Sequence, residues 1–509
     1  MAFTKTPDYS TMQTKRVPVY GNMVSSALLS ASTGLHYTNC QPRAIQMANT
    51  DPLHIIERRP SLVGITVTGN TSGLLRGIFI DHTDNVTYVA QSNQWYRDNV
   101  VIATLDNTTG YVSQCKYLIG TTGYIMLLEH KSGSASKMWL YNLGTAAVTS
   151  YSTGIETSGD IVFLDGYIFM LSSAYSAIGT PTQRIYNTAV SSPSSITPGS
   201  DFIDAEQFPD RLVTIAKHKN YLVAFGESST EFFYDNAVQL GSPLSRQASY
   251  AQKIGIQKRG SFYNDPTPLV EWGDNIFFFG GPANGARGIY IVDNFQIKKI
   301  SDDYVDRSVS TGVSSVYLSM VNCYGVPCLL VSYQENSPTL SYKTLCFNLE
   351  TKIWSEWNFP SYSTFYVYGS LQPRDGNTML FTLSQDTFAG TVFMRPFTAS
   401  TSEIAGETFT STHVSDVIDF GSELEKHIVS LDIIGRFPSS TVTLSMSDKA
   451  DYTNFFDIDT LNYATINTEG PLRYYNPGSA RRMVFKTTIT GNLQFQYRGM
   501  DVTYNLGNV

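Results

Sequence analysis

Between residues 212 and 234 short apolar runs alternate with polar turns at the rhythm of a β-meander. Leu212–Ala216 and Tyr221–Gly226 are predicted as two strands separated by Lys217-His218-Lys219-Asn220, and Thr230–Tyr234 as a third after Gly226-Glu227-Ser228-Ser229. Leu222, Val223, Ala224 and Phe225 are consecutive and apolar, so both faces of the central strand need cover. That demand suits a sheet held between two others.

The same unit recurs weakly from about residue 61 to 405. Its anchors are Leu75–Ile80, Tyr124–Leu128, Tyr167–Leu171, Tyr221–Phe225, Asn275–Phe279, Val326–Val331 and Asn377–Phe381, which begin 49, 43, 54, 54, 51 and 51 residues apart. A Gly, Asn or Asp commonly precedes the anchor, and a second apolar strand commonly follows, as at Met138–Asn142, Phe232–Asp235, Gly288–Val292, Leu345–Leu349 and Val392–Pro396. A period near 50 residues with three or four strands per unit predicts an irregular six- or seven-bladed β-propeller over residues 61–409. Ile353-Trp354-Ser355-Glu356-Trp357 reads as a blade ending whose tryptophans fill the gap between blades, with sugar binding as the sharper alternative.

The pattern changes on either side. Val417–Gly421, His427–Gly435, Ser440–Met446, Met483–Thr488 and Leu493–Tyr504 are predicted strands of a C-terminal β-sandwich, residues 410–509. Residues 1–60 are polar and proline-containing and read as an N-terminal extended docking segment. It holds six Lys or Arg against three acids, a formal +3 in a chain of net −8. The fold class is therefore all-β. Aromatics at 13% against charged residues at 15% favour strands over helices, and 509 residues bury enough surface to need no covalent staples. No apolar run reaches 18 residues and the first residues lack an apolar signal core, so the expectation is a soluble protein made in a cytosol.

Candidate chemistry is sparse. Cys40, Cys115, Cys323, Cys328 and Cys346 are odd in number and scattered, which predicts free thiols. Cys323 and Cys328 flank a hairpin turn and with Cys346 could form a metal site, but a fourth ligand is missing and no metal or cofactor is expected. Neither a phosphate-cradling glycine loop nor a nucleophile elbow is present. Asp204, Glu206 and Asp210 lie close in sequence and could supply the carboxylate pair of a propeller glycosidase. The plainer reading is that these acids fix a turn, or with Arg211 meet a neighbouring subunit.

Phe202-Ile203-Asp204-Ala205-Glu206 with Pro209-Asp210, Leu222-Val223-Ala224-Phe225-Gly226 and Glu231-Phe232-Phe233-Tyr234-Asp235 carry a resemblance. Arg76-Gly77, Phe163-Leu164-Asp165-Gly166-Tyr167, Gly255, Ser261, Phe278-Phe279-Gly280 and Ile297-Lys298-Lys299-Ile300-Ser301 follow in the same order. Over roughly residues 57–509 the chain resembles the packaged-DNA stabilisation (tail nozzle, tail accessory) proteins of short-tailed phages. One departure is Ser61 after Pro60, where the family has glycine. The resemblance implies a non-enzymatic virion protein, assembled in the host cytoplasm as a homo-hexamer beneath the head-to-tail adaptor. It also implies that the ring retains packaged double-stranded DNA, lets it pass without sequence-specific binding, and holds tail fibres or spikes. Six copies would carry a formal −48, a wall along which DNA slides. Lys15, Arg16, Glu57, Arg58 and Arg59 are the candidate adaptor-docking residues. The competing functions are a propeller glycosidase and a receptor-binding tail protein.

Overall fold

The computed structural model describes residues 12–17, 19, 36–45, 53–65, 75–81, 83–84, 86–98, 100–172, 183–237, 241–257, 267–310, 313–335, 341–358, 379–382, 391–395, 409–448, 452, 454–462, 472–491 and 493–506. Six consecutive antiparallel sheets follow one another along the chain. Blade 1 comprises Leu75–Asp81, Val86–Gln91, Gln94–Arg97 and Val100–Thr104, and blade 2 Val112–Ile119, Thr122–Glu129, Lys137–Asn142 and Val148–Ser152. Blade 3 comprises Thr157–Leu164, Tyr167–Ser172, Arg184–Asn187 and Phe202–Asp204; blade 4, Leu212–His218, Tyr221–Gly226, Thr230–Asp235 and Leu244–Arg246. In blade 5, Gly255–Ile256 and Leu269–Trp272 both pair with Asn275–Gly281, followed by Gly288–Asp293 and Gln296–Lys299. Blade 6 comprises Val313–Cys323, Val326–Glu335, Ser341–Asn348 and Ile353–Trp357.

The blades stack because their strands are apolar on both faces. Leu222, Ala224 and Phe233 of blade 4 pack on Val162, Leu164, Phe169 and Leu171 of blade 3. Val223, Phe225 and Phe232 point the other way, onto Ile256, Ile276 and Phe278 of blade 5. Tyr317 of blade 6 reaches Leu75, Val89 and Tyr96 of blade 1, which brings the two ends of the array together. A seventh, smaller sheet pairs Thr391–Arg395 with Met379–Thr382 and with Ser61–Ile65, so a strand from before blade 1 joins strands from after blade 6.

Five of the seven anchors are second strands of blades, whereas Leu75–Ile80 is the first strand of blade 1 and its counterpart is Val86–Gln91. The seventh lies on Met379–Thr382, with Asn377 outside the described residues, as Pro396 is at the end of the final follower strand. The strand expected to end at Ala216 runs on to His218, and Lys219 makes the turn at φ +55°.

Sheet pairing describes residues 1–60 and 410–509 together. Gln13–Val17, Cys40–Ile45 and Leu53–Arg58 belong to a six-stranded sheet with Lys426–Arg436, Leu472–Ala480 and Gln496–Leu506. The opposing sheet holds Phe409–Val414, Ser440–Ser447, Phe456–Asn462 and Val484–Gly491. Tyr37–Thr38 joins that sheet to Ile353–Trp357, so blade 6 and the sandwich form one nine-stranded sheet. Ile56, Leu431, Met500 and Val502 from one sheet meet Val442, Leu444, Phe485 and Ile489 from the other in a shared core. The docking segment, as far as it is described, is thus woven into the sandwich, because its strands supply apolar faces that the C-terminal strands need. Val417–Gly421 forms only an isolated bridge, Ile418 to Met483.

Helix Asp303–Ser310 follows blade 5. Asp302 caps it, its Oδ1 accepting Val305 N–H at 2.9 Å, and Val305 and Val309 enter the core between blades 5 and 6. Among the described residues no helix is long and apolar enough to cross a membrane.

Candidate functional site: the propeller axis and its joint with the sandwich

The first strands of the six blades surround a cavity of about 710 Å³. Asp81 of blade 1 accepts from Lys116 of blade 2 at 2.6 Å. Burial opposes its ionisation, yet Lys116 and the Thr83 amide hold the Asp81 carboxyl below its ordinary range. Asp160 of blade 3 accepts from the Tyr111 hydroxyl at 2.7 Å and from Thr214 Oγ1 at 3.0 Å. Glu271 of blade 5 accepts the Lys217 backbone N–H at 2.8 Å. Glu271 has exposed surface on the cavity, but protein surrounds the cavity wall, and this burial, together with the Asp160 charge, pushes its carboxyl up to about 7.

Two of the three carboxylates named for catalysis, Asp204 and Asp210, are engaged in local bonds. Asp204 pairs with Arg184 at 3.0 Å. Asp210 accepts from Ser228 N at 2.8 Å and Ser229 Oγ at 2.7 Å and so fixes the turn before the third strand of blade 4. Glu206 and Arg211 are exposed. The acids that do come together, Asp160 and Glu271, stand on different blades, and only the tertiary arrangement joins them. The one sequence signal was a charged residue inside an otherwise apolar first strand, Leu269-Val270-Glu271-Trp272.

Glu57, Arg58 and Arg59 are buried at 3%, 0% and 0% exposure, which removes both arginines from any surface a partner could touch. Arg59 donates to Asn39 Oδ1, Pro60 O and Asn358 O at 3.3, 2.9 and 3.0 Å. Arg58 donates to Gly491 O and lies 5.2 Å from the Phe495 ring centroid. Glu57 pairs with Arg43 at 3.2 Å, although burial still pushes its carboxyl up. Asn39, at φ +55°, is the centre of this joint. Its N–H donates to Glu356 O of blade 6 at 2.7 Å, its Nδ2 to Thr410 O of the sandwich at 3.0 Å, and its Oδ1 accepts Asn358 N–H at 2.7 Å. No sequence signal marked it. Lys15 and Arg16 are exposed on the edge strand; Lys15 donates to Phe420 O at 2.6 Å and Arg16 pairs with Asp501 at 3.0 Å.

Cys323, Cys328 and Cys346 are buried free thiols on three neighbouring strands of blade 6. Cys328 is hydrogen-bonded to both others, and burial keeps Cys323 and Cys346 protonated, well above the usual thiol range. Among the described residues no set of three His, Cys, Asp or Glu is arranged to hold a metal ion. Trp354 donates to Ile300 O of blade 5 at 3.1 Å, and Trp357 has no exposed surface to offer a sugar.

Comparison with known proteins adds sequence kinship. The chain is 26% identical over 267 residues to the tail hub protein gp10 of Salmonella phage P22, covering 50% of this chain and 52% of that protein. It therefore spans about half the length of this curated relative. Among solved structures, the Myceliophteria thermophila Cps50 (Swd1) β-propeller domain overlays at a TM-score of 0.42 with 10% identity, covering 65% of this chain and 99% of that one. The N-terminal domain of Nup159 overlays at 0.39 with 7% identity, covering 71% and 99%. The family model described as Bacteriophage P22 Gp10, beta-propeller, matches residues 60–362, a span that includes the six blades, and the chain belongs to that phage stabilisation family.

Proposed function

We propose that this chain is a structural protein of a phage tail, a hub or nozzle that serves as a rigid wall around the exit path of the genome. The observation that carries this reading is the family match across the propeller, together with the tail hub relative. The architecture suits the role. A single sheet running from blade 6 through Tyr37–Thr38 into the sandwich makes two domains one stiff body. The cavity of about 710 Å³ on the propeller axis is of small-molecule size, so a conduit for duplex DNA has to form between several copies around a shared axis. A closed ring of six is the arrangement proposed, with two different patches of each copy in contact. The net charge of −8 per copy gives such a wall few phosphate-neutralising contacts, which lets DNA slide.

Adaptor docking is proposed for the exposed Lys15–Arg16 edge, since Arg58 and Arg59 are internal. Glu206 and Arg211 are candidates for contact between copies, and fibre or spike attachment belongs to the same proposed role. Imaging of the assembled particle tests the reading, which fails if this protein is absent from the tail. A Lys15→Glu, Arg16→Glu double variant tests docking in co-sedimentation with the purified adaptor complex. Binding equal to that of the unmodified protein removes those residues from the interface.

A further inference from the structure

We propose that the outer edge of blade 1 on one copy of this chain pairs with the open edge of the sandwich on the next copy, strand against strand. This contact deepens the ring proposed above and rests on it, naming the two different patches that a head-to-tail interface needs. Val100–Thr104 ends its sheet with no strand beyond it among the described residues. It reads Val-Val-Ile-Ala-Thr, and Val100 and Val101 are 66% and 45% exposed. An open edge of apolar, mainly β-branched residues, with no charge or proline to guard it, accepts a further strand. The outer strands of the other blades are covered or polar. Tyr37–Thr38 pairs with that of blade 6, and Asp204, Arg246 and the Lys298-Lys299 pair stand on those of blades 3, 4 and 5. Val148–Ser152 of blade 2 is built mainly of hydroxyl residues.

The far end of the molecule supplies the partner strand. Phe456–Asn462 closes the nine-stranded sheet at the end remote from blade 6, and among the described residues its outer edge is also unpaired. Phe456 is 42% exposed, and Asp457 and Asp459 are exposed with no cation paired to either among the described residues. Antiparallel pairing of this strand with its own copy, centred on Ile458, sets Asp457 opposite Asp459, and like charges placed so repel. The edge therefore takes a strand free of acids. Val100–Thr104 has none, and Arg97, exposed and opposite Val100 in the register of blade 1, supplies a cation beside it. Pairing the two edges brings exposed Phe456 against the exposed valines and removes apolar surface of both from water. The sheet that begins in blade 6 of one copy then runs through its sandwich into blade 1 of the next.

The test is cross-linking of the full-length protein, in solution and in isolated tails, with a short bismaleimide after Val101→Cys and Thr460→Cys are combined. Both positions are exposed, whereas Cys40, Cys323, Cys328 and Cys346 are buried and Cys115 is half-buried, so the unmodified protein is the control. The double variant is expected to give a ladder of covalent oligomers, and each single variant none beyond the control. Val101→Lys, a surface change that leaves circular dichroism unaltered, is expected to shift assembled protein toward monomer in sedimentation velocity. Oligomers from Val101→Cys alone overturn the proposal in favour of two-fold pairing of blade 1 edges. An assembled ring in which the double variant forms no ladder overturns the named patches and leaves the ring standing. A protein that is monomeric in solution and unlinked in tails overturns both. A ladder from a protein absent from the tail upholds the contact and removes the tail role.

Discussion

Charged side chains inside this protein hold loops between blades. Arg76 and Glu129 are both fully buried and pair at 3.2 Å. Arg76 also donates to Gly110 O and Asn107 O at 2.7 Å each, while Glu129 accepts from Asn107 N at 2.8 Å and Trp139 Nε1 at 3.1 Å. Glu231 repeats the device between blades 3 and 4, accepting Gln207 N–H at 3.1 Å and pairing with Arg246 at 2.8 Å. Removing one member strands the other, so Arg76→Ala is expected to cost about 3–5 kcal/mol in urea unfolding. A loss near zero would mean that the pair is dispensable.

Protonation acts at the same scale. His413 is packed between Tyr37 and Tyr497, with ring centroids 5.4 and 5.6 Å away. Burial, helped by the charge of His36, pushes it down from 6.5 to about 3. Below pH 6.5 the unfolded chain takes up a proton that the native state refuses until about pH 3. The stability contributed by neutral His413 is therefore present above 6.5 and lost as pH falls, by up to about 1.4 kcal/mol per pH unit. His36, also lowered by burial, adds in the same direction. Urea unfolding at pH 7 and pH 5 measures the slope, and His413→Gln is expected to flatten it.

At the scale of elements, the strand Tyr37–Thr38 decides how propeller and sandwich behave. It is two residues long and pairs parallel with Ile353–Trp357 on one side and antiparallel with Phe409–Val414 on the other. So short a strand cannot hold the joint by its ladder alone, and the Asn39 side chain adds bonds to both partners. Asn39→Ala leaves Thr410 O, Asn358 N–H and the Arg59 guanidinium short of a partner, an expected loss of about 2–4 kcal/mol. In calorimetry the variant is expected to melt in two transitions where the unmodified protein melts in one. A single transition at an unchanged temperature would show that the joint does not depend on Asn39.

For the whole molecule, the N-terminal residues are structural material of the fold. Removing residues 1–56 deletes the strands Gln13–Val17, Tyr37–Thr38 and Cys40–Ile45 and most of Leu53–Arg58, from both sheets of the sandwich. Such a truncation is expected to lose the native sandwich and to aggregate through the exposed edges of Gln496–Leu506 and Phe409–Val414. Gel filtration and near-ultraviolet circular dichroism check this. A monodisperse truncated protein with an intact spectrum would return those residues to the status of an appendage. A docking assay therefore needs point variants at Lys15 and Arg16 in place of the truncation.

Local pattern alone determined the repeating unit. Leu222 to Phe225 cannot hide both faces without neighbours on both sides, and a period near 50 residues leaves room for about four strands, so blades follow from burial and chain length. The turn fixed by Asp210 was not local in this sense, since its partners Ser228 and Ser229 lie two strands further along, before Thr230–Asp235. What the tertiary structure decided was everything that depends on residues far apart meeting. Arg58 and Arg59 look like surface charge in a polar stretch, and only their carbonyl partners at Gly491, Pro60 and Asn358 explain how they can be buried. Asp160 and Glu271 line one cavity because blades close around an axis, and strands near the two chain ends share a sandwich whose core draws on both. Alternation along a strand records which side chains must be hidden; it does not record which distant strand hides them.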